Sequence, residues 1–144
     1  SQHVNNEEEC NDALINILHR FSMNYKSGLT IAIIILSNNS SRYWTLKTEL
    51  ECLLGDQPYS VEILTSSGAK GREFFAGIII DENSYPSNYE LQNSGVTMGF
   101  YSNLCGLYVG VSRFRDRIAY IYHSQNSPLK EISKIENHKR KKRI

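Results

Sequence analysis

The chain has 144 residues, 40% of them hydrophobic, so it can bury one core of ordinary domain size. Its 16 basic and 15 acidic residues leave a net charge of +1, which excludes a protein-wide positive field for binding nucleic acid or membranes. The three cysteines form neither a CxxC pair nor a zinc set with histidine, so we expect a reducing intracellular location, in cytoplasm or nucleus. The longest apolar tract, IAIIIL, is far shorter than the roughly 20 residues of a membrane helix, so no membrane contact is expected.

The first half of the chain predicts helices alternating with buried strands. An amphipathic helix is predicted from Glu7 to Tyr25, ending near Gly28, because its apolar residues share one face and glutamates open it. The β-branched run LTIAIIIL follows, and it is typical of a strand buried on both faces. A second helix is predicted from about Arg42 to Leu54, with Gly55 placed to cap its end.

The second half predicts further strands and one long loop. YSVEILT predicts a strand, SSGAKGREF a glycine-containing turn with a short helix, and AGIII another buried strand. The polar tract 81–103, which includes the segment Tyr85–Ser102, predicts a long loop. A helix from about Leu104 to Phe114 and the strand RIAYIYH follow. We expect residues 1–126 to form one α/β domain with a mainly parallel sheet, and residues 127–144 a basic, flexible tail.

One candidate site is the segment TSSGAKGREF, Thr65 to Phe74, directly after a predicted strand. Ligands of parallel sheets bind at the carboxyl ends of the strands. Small residues there allow close backbone approach, hydroxyls can donate to phosphates, and Lys70 and Arg72 add positive charge. The segment is not a P-loop, because GxxxxGK[ST] is absent from the chain. Taken alone, an ordinary glycine-containing turn explains it equally well.

A second candidate site is the group of arginines where the last helix meets the last strand. Arg113, Arg115 and Arg117 could bind phosphate, since the guanidinium presents a rigid fork of donors and keeps its charge. Their alternation cannot place all three on one helix face, so at most two can reach a single ligand. A solvated helix end with salt bridges is the alternative.

Together the two segments resemble the late motifs of superfamily 1 helicases of the UvrD/Rep type. In that family, motif V is a strand followed by Thr-x-x-x-x-Lys-Gly-x-Glu-Phe, and motif VI is a helix with the pattern Tyr-Val-Ala-x-Thr-Arg-Ala-Arg. Motif V is matched by Thr65, Lys70, Gly71, Glu73 and Phe74, and motif VI by Tyr108, Val109, Ser112, Arg113, Arg115 and Asp116. The strand IAIIIL is similar to that of motif IV. The resemblance covers about Glu7 to Tyr122 and implies a three-layer, RecA-like domain of the P-loop NTPase type.

The resemblance also implies roles for individual residues. Arg113 would be the catalytic arginine finger, which stabilises charge on the transferred phosphoryl group of ATP, and Gly71 and Glu73 would lie near the nucleotide. The residues that would contact the backbone of single-stranded nucleic acid, DNA rather than RNA, are Thr65, Ser66, Ser67 and Lys70. ATP and Mg²⁺ would be bound in the full-length enzyme, together with a first RecA-like domain of the same protein. This chain alone would not hydrolyse ATP.

The sequence departs from the family at several positions. The pattern IIIDE, Ile78 to Glu82, looks like a Walker B strand, but without a P-loop we interpret it as the strand after motif V and predict no metal site. Ser67 stands where many relatives have His, and Gly110 where Ala is usual. There is no room between the predicted strands for the large inserted subdomain of the best-known relatives.

Other interpretations stay open at this stage. The chain could be a helicase-like adaptor that has lost its motor partner and binds protein or nucleic acid without catalysis. It could also be a receiver-like α/β binding domain, in which case Lys70–Glu73 would lie far from Arg113. Trp44 could stack on a base, but we expect a partly buried packing role for it.

Overall fold

The computed structural model describes residues 1–24, 30–37, 40–53 and 60–129. The elements in chain order are β1 (Gln2–His3), α1 (Glu7–Asn24), β2 (Thr30–Leu36), α2 (Ser40–Leu53), β3 (Ser60–Thr65), β4 (Phe74–Asp81), α3 (Asn88–Ser94), α4 (Met98–Ser112) and β5 (Phe114–Tyr122). The five strands form one sheet in the order β1-β5-β4-β2-β3, and every neighbouring pair is parallel. The predicted α/β fold with a parallel sheet is confirmed.

The sheet is the middle of three layers, because successive residues of its central strands face opposite sides. From β2, Ile31, Ile33 and Ile35 join the core under α1 and α2, which includes Leu14, Leu18, Leu46 and Leu50. The alternate residues of the same strand, Ala32, Ile34 and Leu36, join the core under α4. Both faces of β2 are therefore apolar, which is why the run reads as continuously hydrophobic.

The strand order creates a switch point between β2 and β4. The chain leaves β2 through α2 and reaches β3 on one side, whereas it leaves β4 through α3 and α4 and reaches β5 on the other side. Two connections that depart in opposite directions open a crevice at the carboxyl ends of their strands. The segment 66–73, between β3 and β4, passes close to this crevice because it starts at the carboxyl end of β3.

The predicted long loop over 81–103 is wrong, since it contains α3 and the beginning of α4. The Ser87 hydroxyl accepts a hydrogen bond from the Glu90 amide at 3.2 Å, which caps the start of α3. Gly95, with φ of 73°, ends that helix, and the Thr97 hydroxyl caps α4 by accepting from the Phe100 amide at 3.1 Å. These caps satisfy amides and carbonyls at the helix ends, so a polar segment becomes helical.

The junction after α4 also differs from the prediction. The helix begins at Met98 and ends at Ser112, so Phe114 belongs to β5 rather than to the helix. Arg113 is the C-cap of α4, and Arg115 and Arg117 lie on the strand. The short helix predicted within SSGAKGREF is instead a series of hydrogen-bonded turns, in which the Ala69 amide donates to the Thr65 carbonyl at 3.1 Å.

The strand β1 was not predicted, and it pairs Gln2 and His3 with the end of β5. The predicted ends near Gly28 and Gly55, and the tail from residue 130 onward, lie outside the described residues. No helix within the described ranges combines the length and the apolar character needed to cross a membrane.

Candidate nucleotide and nucleic-acid site

The two segments singled out by their motifs lie side by side. The main-chain amide of Phe74, at the start of β4, donates a hydrogen bond to the carbonyl of Arg113 at 2.7 Å. Phe74 also pairs with Phe114 across the β4–β5 ladder, and their ring centroids are 6.0 Å apart. The wide separation that a receiver-like domain would require between Lys70–Glu73 and Arg113 is not observed.

Arg113 is held by the end of α4 while its charge stays available. Its amide donates to the Gly110 carbonyl at 3.2 Å, and its Nε donates to the Val109 carbonyl at 3.3 Å. Within the described part of the chain, no carboxylate forms an ion pair with Arg113. The side chain of the half-buried Arg113 is thus oriented by the Val109 carbonyl, and with no internal anion paired to it the guanidinium can bind an external one.

The charges of the 66–73 segment are partly neutralised by neighbours. Arg72 pairs with Glu62, its Nη2 lying 2.7 Å from Oε2, and this pair holds the pKa of Glu62 below its usual range. Glu73 forms an ion pair with Arg115 of β5. Lys70 is exposed and pairs with no described carboxylate, so it carries the unpaired positive charge of this segment. The contribution expected from Arg72 is therefore smaller than predicted.

Gly71 allows the segment to turn into β4. Its φ of 74° lies in the left-handed region, where a side chain is strained, and an added Cβ would meet no atom within 4 Å. The constraint is thus one of backbone conformation rather than of space. The turn at Gly71 places Glu73 and Phe74 at the beginning of β4, the strand that pairs with β5.

A pocket of about 400 Å³ lies at the carboxyl ends of β2, β3 and β4. Thr65, Ser66 and Ser67 line it, so the structure brings together the hydroxyls for which nucleic-acid contacts were predicted. The Thr65 hydroxyl also accepts from the Gly68 amide at 3.0 Å, which orders the turn. Lys70, Gly71, Glu73 and Arg113 do not line the pocket. The predicted site residues therefore fall into two groups: the pocket at the carboxyl ends of the strands, and the residues around Arg113 at the amino ends of β4 and β5.

Several residues that line the pocket were not predicted as site residues. They are Ser37 after β2, Tyr43 and Trp44 of α2, Asn83 after β4, and Ser102, Asn103 and Gly106 of α4. The expected packing role of Trp44 is wrong, because its side chain is 62% exposed. The helical spacing of the buried Leu46 and Leu50 turns Trp44 away from the core, and that signal was available in the sequence.

The two acidic residues of the Walker B-like pattern, Asp81 and Glu82, are hydrogen-bonded to other side chains of the protein. Asp81 is fully buried and accepts hydrogen bonds from the hydroxyls of Tyr85 and Tyr120, both at 2.6 Å. Burial raises the pKa of Asp81, although these donors oppose the change. Glu82 accepts from Arg42 Nε at 2.8 Å. Both carboxylates are thus committed to structure, and the described residues contain no group of three or more metal-ligating side chains.

Comparisons with known proteins agree with this architecture. No protein-family model matches the chain, and no curated protein matches it. Among solved structures, the chain is similar to the C-terminal domain of a possible DNA helicase from Lactobacillus plantarum WCFS1. The TM-score is 0.62 at 22% sequence identity, over 88% of this chain and 74% of that chain. The likeness shows the fold: this chain has the α/β architecture of a helicase C-terminal domain, consistent with a RecA-like fold.

Proposed function

We propose that the chain is the C-terminal RecA-like domain of an ATP-dependent superfamily 1 helicase of the UvrD/Rep type. The observation that carries this proposal is the hydrogen bond of 2.7 Å from the Phe74 amide to the Arg113 carbonyl. It joins the motif V-like segment to the motif VI-like helix, as coupling between nucleic acid and nucleotide requires. The fold of the Lactobacillus helicase domain supports the same conclusion.

In this proposal Arg113 acts on a nucleotide held by another domain. ATP supplies the phosphoryl group, and a first RecA-like domain with a P-loop holds ATP and Mg²⁺, since the motif is absent from these 144 residues. The unpaired guanidinium of Arg113 fits the γ-phosphate and stabilises the negative charge that develops there. Gly71 and Glu73, which directly precede β4, would lie near the bound nucleotide. Asp81 and Glu82 are already paired, so they are not the Mg²⁺ ligands.

The outer face of α4 supports a docked first domain. Met98, Tyr101 and Tyr108 are 84%, 60% and 75% exposed, and their spacing places them on one stripe with the exposed Cys105. Exposed apolar stripes of this kind mark interaction surfaces. The stripe runs along the helix that ends at Arg113, so a domain covering it would bring its bound nucleotide to the guanidinium.

The nucleic-acid side of the proposal rests on the pocket at the switch point. Thr65, Ser66 and Ser67 present hydroxyls and backbone amides there, and Lys70 adds the unpaired charge of the same segment. Such donors suit the phosphates and sugars of single-stranded DNA. Movement of the two domains during ATP turnover would shift the 66–73 segment along the DNA strand. The hydrogen bond between Phe74, which follows the segment, and Arg113 would transmit this movement.

The test is ATP hydrolysis, measured for this chain alone and for the longer protein that the proposal requires, each with and without single-stranded DNA. We expect no turnover from the chain alone and DNA-stimulated turnover from the longer protein. Turnover by the chain alone would contradict the assignment of the P-loop to another domain. Absence of turnover in both would favour a helicase-like adaptor that binds without catalysis.

A further inference from the structure

The pocket at the switch point contains an exposed aromatic platform. Trp44 lines it and is 62% exposed, although the indole is the largest side chain of α2. Its ring meets Tyr43 edge to face at 5.1 Å, and the Tyr43 hydroxyl donates to the Ile63 carbonyl at 3.2 Å. The indole is therefore supported from one side by a ring that is itself anchored to β3. An anchored, exposed indole can stack on a planar ligand at little entropic cost.

A positive charge accompanies the platform. The Nζ of Lys47 lies 5.4 Å from the centre of the Trp44 ring and 6.0 Å from that of Tyr43. An ammonium group at an aromatic ring interacts favourably with the ring and also attracts phosphate. The combination of a stacking face and an adjacent cation is what a nucleotide unit of a single strand requires.

Asn83 supplies a polar group to the same pocket. The residue is only 8% exposed, and its Oδ1 forms no hydrogen bond with any described residue. Its backbone amide donates to Asp81 Oδ1 at 3.1 Å, which fixes the residue directly after β4. Oδ1 is therefore an unused, buried acceptor in the pocket wall.

We propose that this pocket binds one unstacked nucleobase of single-stranded DNA, with Trp44 stacking on the base and Asn83 Oδ1 accepting a hydrogen bond from its amino group. This inference rests on the proposed function, because it takes single-stranded DNA as the ligand. The hydroxyls of Thr65, Ser66 and Ser102 line the same pocket and serve the sugar and phosphate. The pocket volume of about 400 Å³ accommodates a base with its sugar.

Trp44 is the only tryptophan of the chain, so its fluorescence reports on this pocket alone. The experiment titrates the 144-residue chain with an oligodeoxyadenylate of about ten nucleotides, and with an abasic strand of equal length. We expect the first strand to quench the fluorescence and to bind about tenfold more tightly than the abasic strand. Binding of both strands with equal affinity and no quenching would overturn the base pocket but leave DNA binding intact. Binding of neither strand would overturn the proposed nucleic-acid function and this inference with it.

A variant and a modified base separate the two contacts. By fluorescence anisotropy of labelled strands, Trp44→Leu should lower the affinity for oligodeoxyadenylate to that for the abasic strand and leave abasic binding unchanged. Tyr89→Leu, which removes another exposed aromatic ring outside the pocket, is the matched control and should change neither of these two affinities.

A strand of N6,N6-dimethyladenine tests the contact to Asn83, because its bases still stack but lack the amino hydrogens. It should quench Trp44 yet bind severalfold more weakly than the unmodified strand. Equal affinity of the two strands would overturn the role of Asn83.

Discussion

The main-chain amide of Phe74 and the carbonyl of Arg113 are joined by a hydrogen bond of 2.7 Å. Phe74 opens β4 directly after the 66–73 segment, and Arg113 ends α4, so this bond links the end of the motif V-like segment to the proposed finger. The adjacent Phe114 ring covers the backbone of β4 at Gly77. Side-chain packing thus holds the two motif-bearing segments in register, and the packing can be tested separately from function.

Gly77→Ala should strongly destabilise the protein. A Cβ on Gly77 would overlap the Phe114 ring and the Ala32 carbonyl oxygen, and the oxygen cannot move without disturbing the β2–β4 ladder. Overpacking of this kind costs about 3 kcal/mol. The measurement is the free energy of unfolding from urea titration. A loss below about 1 kcal/mol would contradict the packing of Phe114 on this backbone.

Gly110→Ala should have the opposite effect on the same measurement. A Cβ there would lie 3.5 Å from Ile79 Cδ1 and 3.8 Å from Ile34 Cγ2, which is ordinary contact. Since Gly110 is a helical residue in the last turn of α4, alanine should raise the free energy of unfolding by about 0.5–1 kcal/mol through helix propensity and added burial. A decrease would mean that α4 packs more closely on the sheet than described.

Arg42 should contribute to stability chiefly through Glu82. Its Nε lies 2.8 Å from Glu82 Oε1, and both side chains are about nine-tenths buried, whereas its second partner Glu7 is 62% exposed at 3.0 Å. Arg42→Ala should cost about 3–5 kcal/mol, because it leaves a buried carboxylate unpaired. Glu7→Gln removes an exposed partner of the same guanidinium and should cost less than about 1 kcal/mol. Equal losses in urea titrations of the two variants would contradict this ranking.

His123 should make stability depend on pH. Burial lowers the pKa of His123 from 6.5, assisted by the charges of Arg42 and His3 and opposed by those of Glu82 and Asp81. The unfolded chain therefore binds this proton more readily, so the histidine's stabilising contribution is present above pH 6.5 and is lost as the pH falls below it. The free energy of unfolding of the wild type, relative to His123→Gln, should decrease from about pH 7.5 to about pH 5. If attraction to Glu82 at 3.9 Å prevailed, the slope would be reversed.

The sequence alone predicts the elements of the fold that have strong local patterns. The strands β2 and β4 are apolar on both faces, and such runs predict buried parallel strands. The helix α3 was missed because it has seven residues, none of them buried, and owes its start to the Ser87 cap rather than to periodicity. The strand β1 has two residues and depends on its partner β5, so no local pattern reveals it.

The site was only partly predictable, for a related reason. Thr65 and Arg113 lie in spaced motifs, so they could be found without knowing the topology. Trp44 and Asn83 share no motif, and they meet only because the connections from β2 and β4 leave in opposite directions. The pairing of Arg72 with Glu62 was likewise invisible, since it depends on the turn folding back on β3. Which of these residues come together depends on contacts between helices and strands, and such contacts cannot be predicted from residue spacing.

Arg113→Ala is the decisive variant for the proposed motor. In the longer protein, ATP turnover should fall by about 10³-fold or more, because no other group replaces the finger's charge at the phosphoryl group. Affinity for single-stranded DNA should stay nearly unchanged, since Arg113 does not line the pocket. Arg20→Ala removes an exposed guanidinium from α1, on the opposite face of the sheet, and serves as the control with normal turnover.

Arg113→Lys keeps the charge but loses the planar fork, so turnover should remain well below that of the wild type. Wild-type turnover in Arg113→Ala would remove the assignment, whereas a loss of DNA affinity equal to the loss of turnover would indicate a binding role instead.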